Sequence, residues 1–214
     1  MRLELILPLL LAPGLFVLAR RLPRQRGTLI LALVLLAPAL LPASGYLHLW
    51  DSTPWFCEFR SRSWSDFLPA LAGFSFGRFL PPRLDRLTWR DLLLSALCLA
   101  AFLPVFKLAS MRRPPAQFED KWNGGVALQS TPSSCGPASC ASLLRQLGQT
   151  ASESQIAREA GTTLTGTEIW HLARVLRRQD LEAEFKGVYR LGDAPCLVGT
   201  RLGVGVGHFN GILA

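Results

Sequence analysis

Residues 129–148 read QSTPSSCGPASCASLLRQLG, and this stretch decides how the second half of the chain is built. Ser134-Cys135-Gly136-Pro137 reads as a helix start: a residue of the N-cap type, then a proline near the first helical position, where its missing N–H is no loss. The helix is expected to run through ASCASLLRQL and to stop at Gly148, a residue suited to the left-handed C′ position. Ser152-x-x-Gln155 reads as a capping box for a second short helix ending at Gly161. Thr165-x-x-Glu168 reads as the opening of a third, with Ile169, Leu172, Ala173 and Leu176 spaced along one face. Strand-like pieces follow at Leu181–Lys186, Cys196–Thr200 and Val204–Leu213. Helices first and strands afterwards argue an α+β fold with an antiparallel sheet.

The same stretch carries chemistry. A thiol attacks only as thiolate, and unpaired N–H groups at a helix N-terminus favour that anion. Cys135 stands where the sequence places such an N-terminus. A histidine in contact would pair with the anion and hand its proton to a leaving group. His208 is the candidate. Acyl transfer also needs donors for an oxyanion, and the Cys135 backbone N–H with the Gln129 side-chain amide would serve. Plainer readings compete: a helix cysteine is often a small buried hydrophobe, as expected of Cys140. Cys135, Cys140, Cys196 and His208 could instead bind zinc, but no close pair of ligands occurs among them, and no metal or cofactor is expected. Trp170 and His171 read as packing or surface residues. Arg174, Arg177 and Arg178 read as a solvated face.

Gln129, five residues, Cys135-Gly136-Pro137-Ala138, a Leu-rich helix and Gly148 together resemble the bacteriocin-processing (double-glycine leader) cysteine peptidases, a papain-like family. Gly166-Thr167 before the third helix, Pro195 before a strand, and His208-Phe209 extend the likeness over residues 117–214. The resemblance implies that Cys135 is the nucleophile, His208 the general base and acid, and Gln129 the oxyanion-hole residue, acting on a peptide or protein. It also implies a third catalytic residue, Asp or Asn, beyond the histidine; the chain reads as ending at Ala214 before that point, with the domain incomplete at its C-terminus. Ser134 stands where the family often has an acid, and Asn210-Gly211 where it usually has β-branched residues. No P-loop occurs, so no ATP site is expected. Two rival functions share these residues: a degenerate domain that binds a peptide without cutting it, and a transpeptidase resembling phytochelatin synthases.

Outward from this segment the composition changes at Met111-Arg112-Arg113-Pro114-Pro115, read as a stiff linker over 111–116. Half of the 214 residues are hydrophobic and only 18% charged, which is unusual for a soluble domain. The formal net charge of +8 sits wholly in residues 1–116, around apolar runs, while residues 117–214 are neutral. That distribution suits a membrane region with arginine flanks rather than a nucleic-acid binder. Residues 1–110 are therefore read as a membrane region with three transmembrane helices, 3–19, 28–48 and 92–110. Phe67–Pro82 is apolar but short and reads as interfacial or re-entrant, or as a loop packed on the spans. The expected protein is an integral, multi-pass membrane protein. The four arginines of loop 20–27 favour the cytoplasm, which with three spans also puts the peptidase domain there; the six arginines of 49–91 argue the reverse.

Overall fold

The structure, a computed structural model, describes residues 3–45, 47, 49–50, 53–81, 88–102, 118–190, 192–203 and 206–212. The chain divides into two compact units: Met1–Asp51 with Arg62–Lys107, and Ser52–Ser61 with Leu108–Ala214. The architecture is mixed: helices in both units, and two small antiparallel sheets in the second.

The first unit contains α1 (Leu3–Arg21), α2 (Arg26–Gly45), a 3-10 helix (Ser63–Ala70), α4 (Leu71–Phe79) and α5 (Trp89–Ala100). The remaining helix in chain order, α3, belongs to the second unit. Spans 3–19 and 28–48 fall on α1 and α2. Span 92–110 overlaps α5, and its part beyond residue 102 lies outside the described residues. Among the described residues one helix, Arg26–Gly45, is long and apolar enough to cross a membrane. The segment read as Phe67–Pro82 forms the end of the 3-10 helix and α4, packed on α1 and α2, with Pro82 itself outside the described residues.

Small residues make that packing possible. Ala19, Ala32, Ala39 and Ala72 are wholly buried, while Leu10 is 66% and Val34 61% exposed. A side chain at Gly73 would overlap the Ala12 carbonyl oxygen, and one at Gly77 would stand 2.7 Å from the Phe16 oxygen. The Gly73-x-x-x-Gly77 pair thus brings the α4 and α1 backbones together. Ser75 donates to the Ala32 carbonyl at 2.8 Å, tying α4 to α2. Arg78 is buried, and its guanidinium donates to the Ala19, Leu22 and Pro23 carbonyls and the Thr28 hydroxyl at 2.7–3.1 Å. These carbonyls close the end of α1, where no intrahelical donor remains.

The second unit contains α3 (Pro54–Ser61), β1 (Trp122–Asn123), β2 (Val126–Ala127), α6 (Cys135–Gln146), α7 (Glu153–Ala160), α8 (Ile169–Arg178), β3 (Cys196–Gly203) and β4 (Val206–Ile212). Its core gathers Cys140, Ala141, Leu144, Ile156, Leu172 and Val175. Helix ends follow the sequence closely. Gly148 has φ +77°, and the Gly148 and Gln149 N–H groups return to the Arg145 and Leu144 carbonyls. The Ser152 hydroxyl accepts from the Gln155 N–H at 3.2 Å, but the Gln155 side chain turns to Glu159, so the expected box is a one-sided cap. The third helix starts at Ile169 rather than near Thr165, because Thr163, Thr165 and Gly166 close a turn of their own. Leu181–Lys186 pairs with no strand among the described residues; the sheet consists of β3 and β4, with Thr200 opposite His208. The hairpin of β1 and β2 turns at Gly124, φ +59°.

Two of the arginines expected to form a solvated face are engaged by the fold, Arg174 buried and Arg177 half-buried. Arg174 is buried and donates through Nε to the Ser61 carbonyl at 3.0 Å and through Nη2 to the Arg60 carbonyl. Arg177 pairs with Glu58 at 2.6 Å. Helix α3, supplied from far upstream, covers this side of α8. Phe56 meets the Trp170 ring edge-on at 6.1 Å, and the Arg60 guanidinium lies 5.6 Å from the Trp170 ring centre. The sequence pattern of α8 shows one apolar stripe, and the second buried face is visible only once α3 is in place. Arg174→Ala should cost about 2 kcal/mol, because it strips buried carbonyls of their donor. Thermal unfolding of the full chain in detergent should show a Tm fall of several degrees, with Arg174→Lys restoring only part for want of the planar fork.

Candidate active site

The site begins in the loop before α6. Buried Glu153, at the first turn of α7, accepts from the Ser130 N–H at 2.9 Å and from the Ser130 hydroxyl. Asp120 holds the next residue of α7, accepting from the Ser154 N–H at 2.8 Å and the Ser154 hydroxyl at 2.6 Å. The loop then folds on itself. The Ser134 hydroxyl donates to the Thr131 carbonyl and accepts from the Thr131 N–H, at 2.9 and 3.0 Å. Ser134 is therefore not the side-chain cap that the sequence suggests; α6 starts with no side-chain acceptor on its first N–H groups. An uncapped N-terminus beside Cys135 is a ready place for negative charge.

Helical spacing then decides which side chains share the site with Cys135. Cys135, Ala138, Ser139 and Ser142 fall on one face of α6 and line a cavity of about 240 Å³, together with Gln129, His208 and Asn210. Cys140 and Leu144 point the other way, into the core. Cys135 and His208 are both half-buried, so reagents can reach them. Gln129 is exposed, and its Nε2 donates one hydrogen to the Thr131 carbonyl at 2.6 Å.

Two contacts carry His208 to this face. A Cβ at Gly136 would stand 2.9 Å from Leu172 Cδ1 and 3.2 Å from Phe209 Cδ2, so the glycine lets the Phe209 ring lie on the first turn of α6 without either side chain giving way. The Ser139 hydroxyl then donates to the Phe209 carbonyl at 3.1 Å. On the sheet side, the Thr200 hydroxyl donates to the His208 carbonyl and receives the Asn210 amide, each at 3.2 Å. Ser142 anchors the other wall: its hydroxyl accepts from the buried Ala127 N–H at 2.8 Å and donates to the Ala138 carbonyl.

The three expected site residues thus line one cavity. Sequence reasoning missed Ser139, Glu153 and Asn210. The four-residue step from Cys135 to Ser139 is a helical signal that could have found the first; Glu153 and Asn210 act across the fold and left none. The zinc grouping does not form, since Cys140 lies in the core, away from the lining of Cys135 and His208, and among the described residues no group of three His, Cys, Asp or Glu is placed to hold a metal.

Residues 114–188 match the model of the Peptidase C39 family, the cysteine peptidase family that the sequence around Cys135 resembles. The match contains Gln129 and Cys135 and ends before His208, so the histidine enters the site on geometry. Neither the curated proteins nor the solved structures include a match.

The thiols should separate by environment. Burial pushes the Cys140 thiol up to about 12, with Glu159 adding to it, and burial also raises Cys196. Thiolate is therefore scarce at Cys140 between pH 6 and 9, and iodoacetamide should modify Cys135 in the folded chain while Cys140 reacts only after unfolding, as read by peptide mass spectrometry. Because the thiol of Cys140 is raised in the fold above its ordinary value of 9.0, its contribution to stability is complete below about pH 9 and is lost as the pH rises towards 12.

Proposed function

We propose that the chain is a membrane-anchored cysteine peptidase that hydrolyses a peptide bond in a peptide or protein substrate. The observation that carries the reading is that Gln129, Cys135 and His208 line a single cavity at the uncapped start of α6. The match to a peptidase family over residues 114–188 supports it. The apolar helix Arg26–Gly45, with α4 and α5 packed on it, supplies the anchor.

The chemistry follows from the groups. His208 takes the proton of Cys135, and the sulfur attacks the carbonyl carbon of the scissile bond. Negative charge then develops on the carbonyl oxygen. The Cys135 backbone N–H and the second hydrogen of Gln129 Nε2, the first being held by Thr131, donate to that oxygen. The histidine, now an imidazolium, protonates the departing amine, and the C–N bond breaks to leave a thioester. Water, losing its proton to His208, attacks the thioester; the acid product leaves and the thiol is restored. Ser139 and Thr200 touch only the backbone of the His208–Phe209 segment and are positioning residues in this scheme.

The assay is incubation of the full chain in detergent with a mixed peptide library, scoring new N-termini by mass spectrometry. Wild type should generate them; Cys135→Ala and His208→Ala should not. Gln129→Ala should lower kcat by about 10²–10³, the usual effect of removing one oxyanion donor. Peptides retained by wild type and Cys135→Ala alike, with no new termini from either, would leave a peptide-binding module and end the peptidase reading.

A further inference from the structure

We infer that Glu153 is a positioning residue for the oxyanion donor: acting through Ser130, it fixes the Gln129 carboxamide in the frame of the helix that carries Cys135. The inference rests on the peptidase reading above and deepens it. Gln129 is exposed, and a long glutamine side chain loses much rotamer freedom when it is held in one place. An oxyanion donor works only within about 2.7–3.1 Å of the forming anion, so the backbone beneath it must not drift. The chain on either side of Gln129 is pinned. The Leu128 N–H donates to the Lys121 carbonyl at 2.8 Å, and the Ser130 N–H donates to Glu153 at 2.9 Å. The Gln129 side chain is then turned by the Thr131 carbonyl, 2.6 Å from its Nε2.

The pin is a buried acid. Glu153 is 1% exposed, and both of its oxygens serve one residue, accepting from the Ser130 N–H and the Ser130 hydroxyl. Among the described residues no lysine or arginine pairs with it. Taking a carboxylate out of water is costly, and its place in the first turn of α7 offsets only part of that cost. Buried charge is a weak source of stability; what this one supplies is a location. The Ser130 hydroxyl also accepts from the Glu119 N–H at 3.1 Å, so the serine is held on three sides.

That location is tied to the nucleophile. Glu153 opens α7, and Ile156 and Ala160 of the same helix share the core with Cys140, Ala141 and Leu144 of α6. Helix α6 begins with Cys135. Packed side chains thus carry the position of Cys135 to α7, and hydrogen bonds carry it from Glu153 to the residue next to Gln129. Asp120 does not do the same work, since its oxygens hold Ser154. Without the Glu153 oxygens the Ser130 N–H and hydroxyl lose their acceptor. Donors orphaned in the interior turn towards water, and residue 129 moves with them.

Steady-state hydrolysis and amide hydrogen exchange on the full chain in detergent test this. The substrate is the library peptide that wild type cleaves fastest. Glu153→Ala should lower kcat about a hundredfold with KM unchanged, as misplacing a catalytic group by an ångström does. Glu153→Gln keeps one acceptor oxygen and should recover part of that loss; it also serves where Glu153→Ala does not fold. On a Gln129→Ala background Glu153→Gln should have no further effect, because both act through one donor. Arg174→Ala, which loosens the same unit away from this loop, should leave kcat unchanged. In Glu153→Gln, exchange over residues 127–131 should speed about tenfold while α6 stays as protected as in wild type. Unchanged exchange at 127–131, equal loosening of α6, or a kcat loss that adds in full to that of Gln129→Ala overturns the inference. Faster exchange confined to 127–131, with no hydrolysis by wild type, instead ends the peptidase reading and upholds the clamp.

Discussion

The Phe209 ring resting on Gly136 is the contact through which a helix and a strand, far apart in sequence, become one site. Replace the hydrogen at Gly136 with any side chain and Leu172 and the Phe209 ring must both shift to make room. The ring's own strand then loses its fit to α6, and with it the hydroxyl–carbonyl bond from Ser139. Everything chemical about the cavity is downstream of this fit. Cys135 needs only the start of a helix, which it has from local sequence. The histidine needs a long-range partner, and a glycine beside the cysteine provides the space for it. That gives a physical reason for the Cys-Gly pair, independent of any role in catalysis.

The legible parts of the chain were those whose signal is local. Gly148 and Gly161 mark helix ends because a left-handed residue is needed there, and both have positive φ. The apolar runs gave α1 and α2 nearly to their ends. Cys135, His208 and Gln129, picked out by spacing, line one cavity. Illegible parts depend on partners remote in sequence. Ser134 has the chemistry of a cap, but Thr131 claims its hydroxyl. Thr165 and Glu168 have the spacing of a capping box, but a tight turn at Thr163–Gly166 delays the helix. Arg174 and Arg177 of α8 look solvent-facing until a helix more than a hundred residues upstream packs on them. Arg78 looks like an obstacle inside an apolar run and is instead the donor that closes the end of another helix.

The two units solve their packing in opposite ways. In the second, leucine, isoleucine and valine side chains turn inward around Cys140 and Leu144. In the first, alanines and glycines share the inside with Leu36, Phe74 and Phe79, while Leu10, Val34, Leu93 and Leu99 look out. In the first unit close backbone approach adds to this burial, together with hydrogen bonds such as those of Ser75 and Arg78 that satisfy buried carbonyls.

Helix α3 has a consequence for biosynthesis. Its docking partner Arg174 lies 113 residues after Ser61. At ordinary translation rates the ribosome needs on the order of ten seconds to make that interval. Throughout that time Phe56 and Cys57, both buried in the finished fold, must stay out of wrong contacts. The linear boundary of composition near residue 111 is therefore not the boundary of the folding unit, and a gene cut there would encode a polypeptide that lacks one of its own walls.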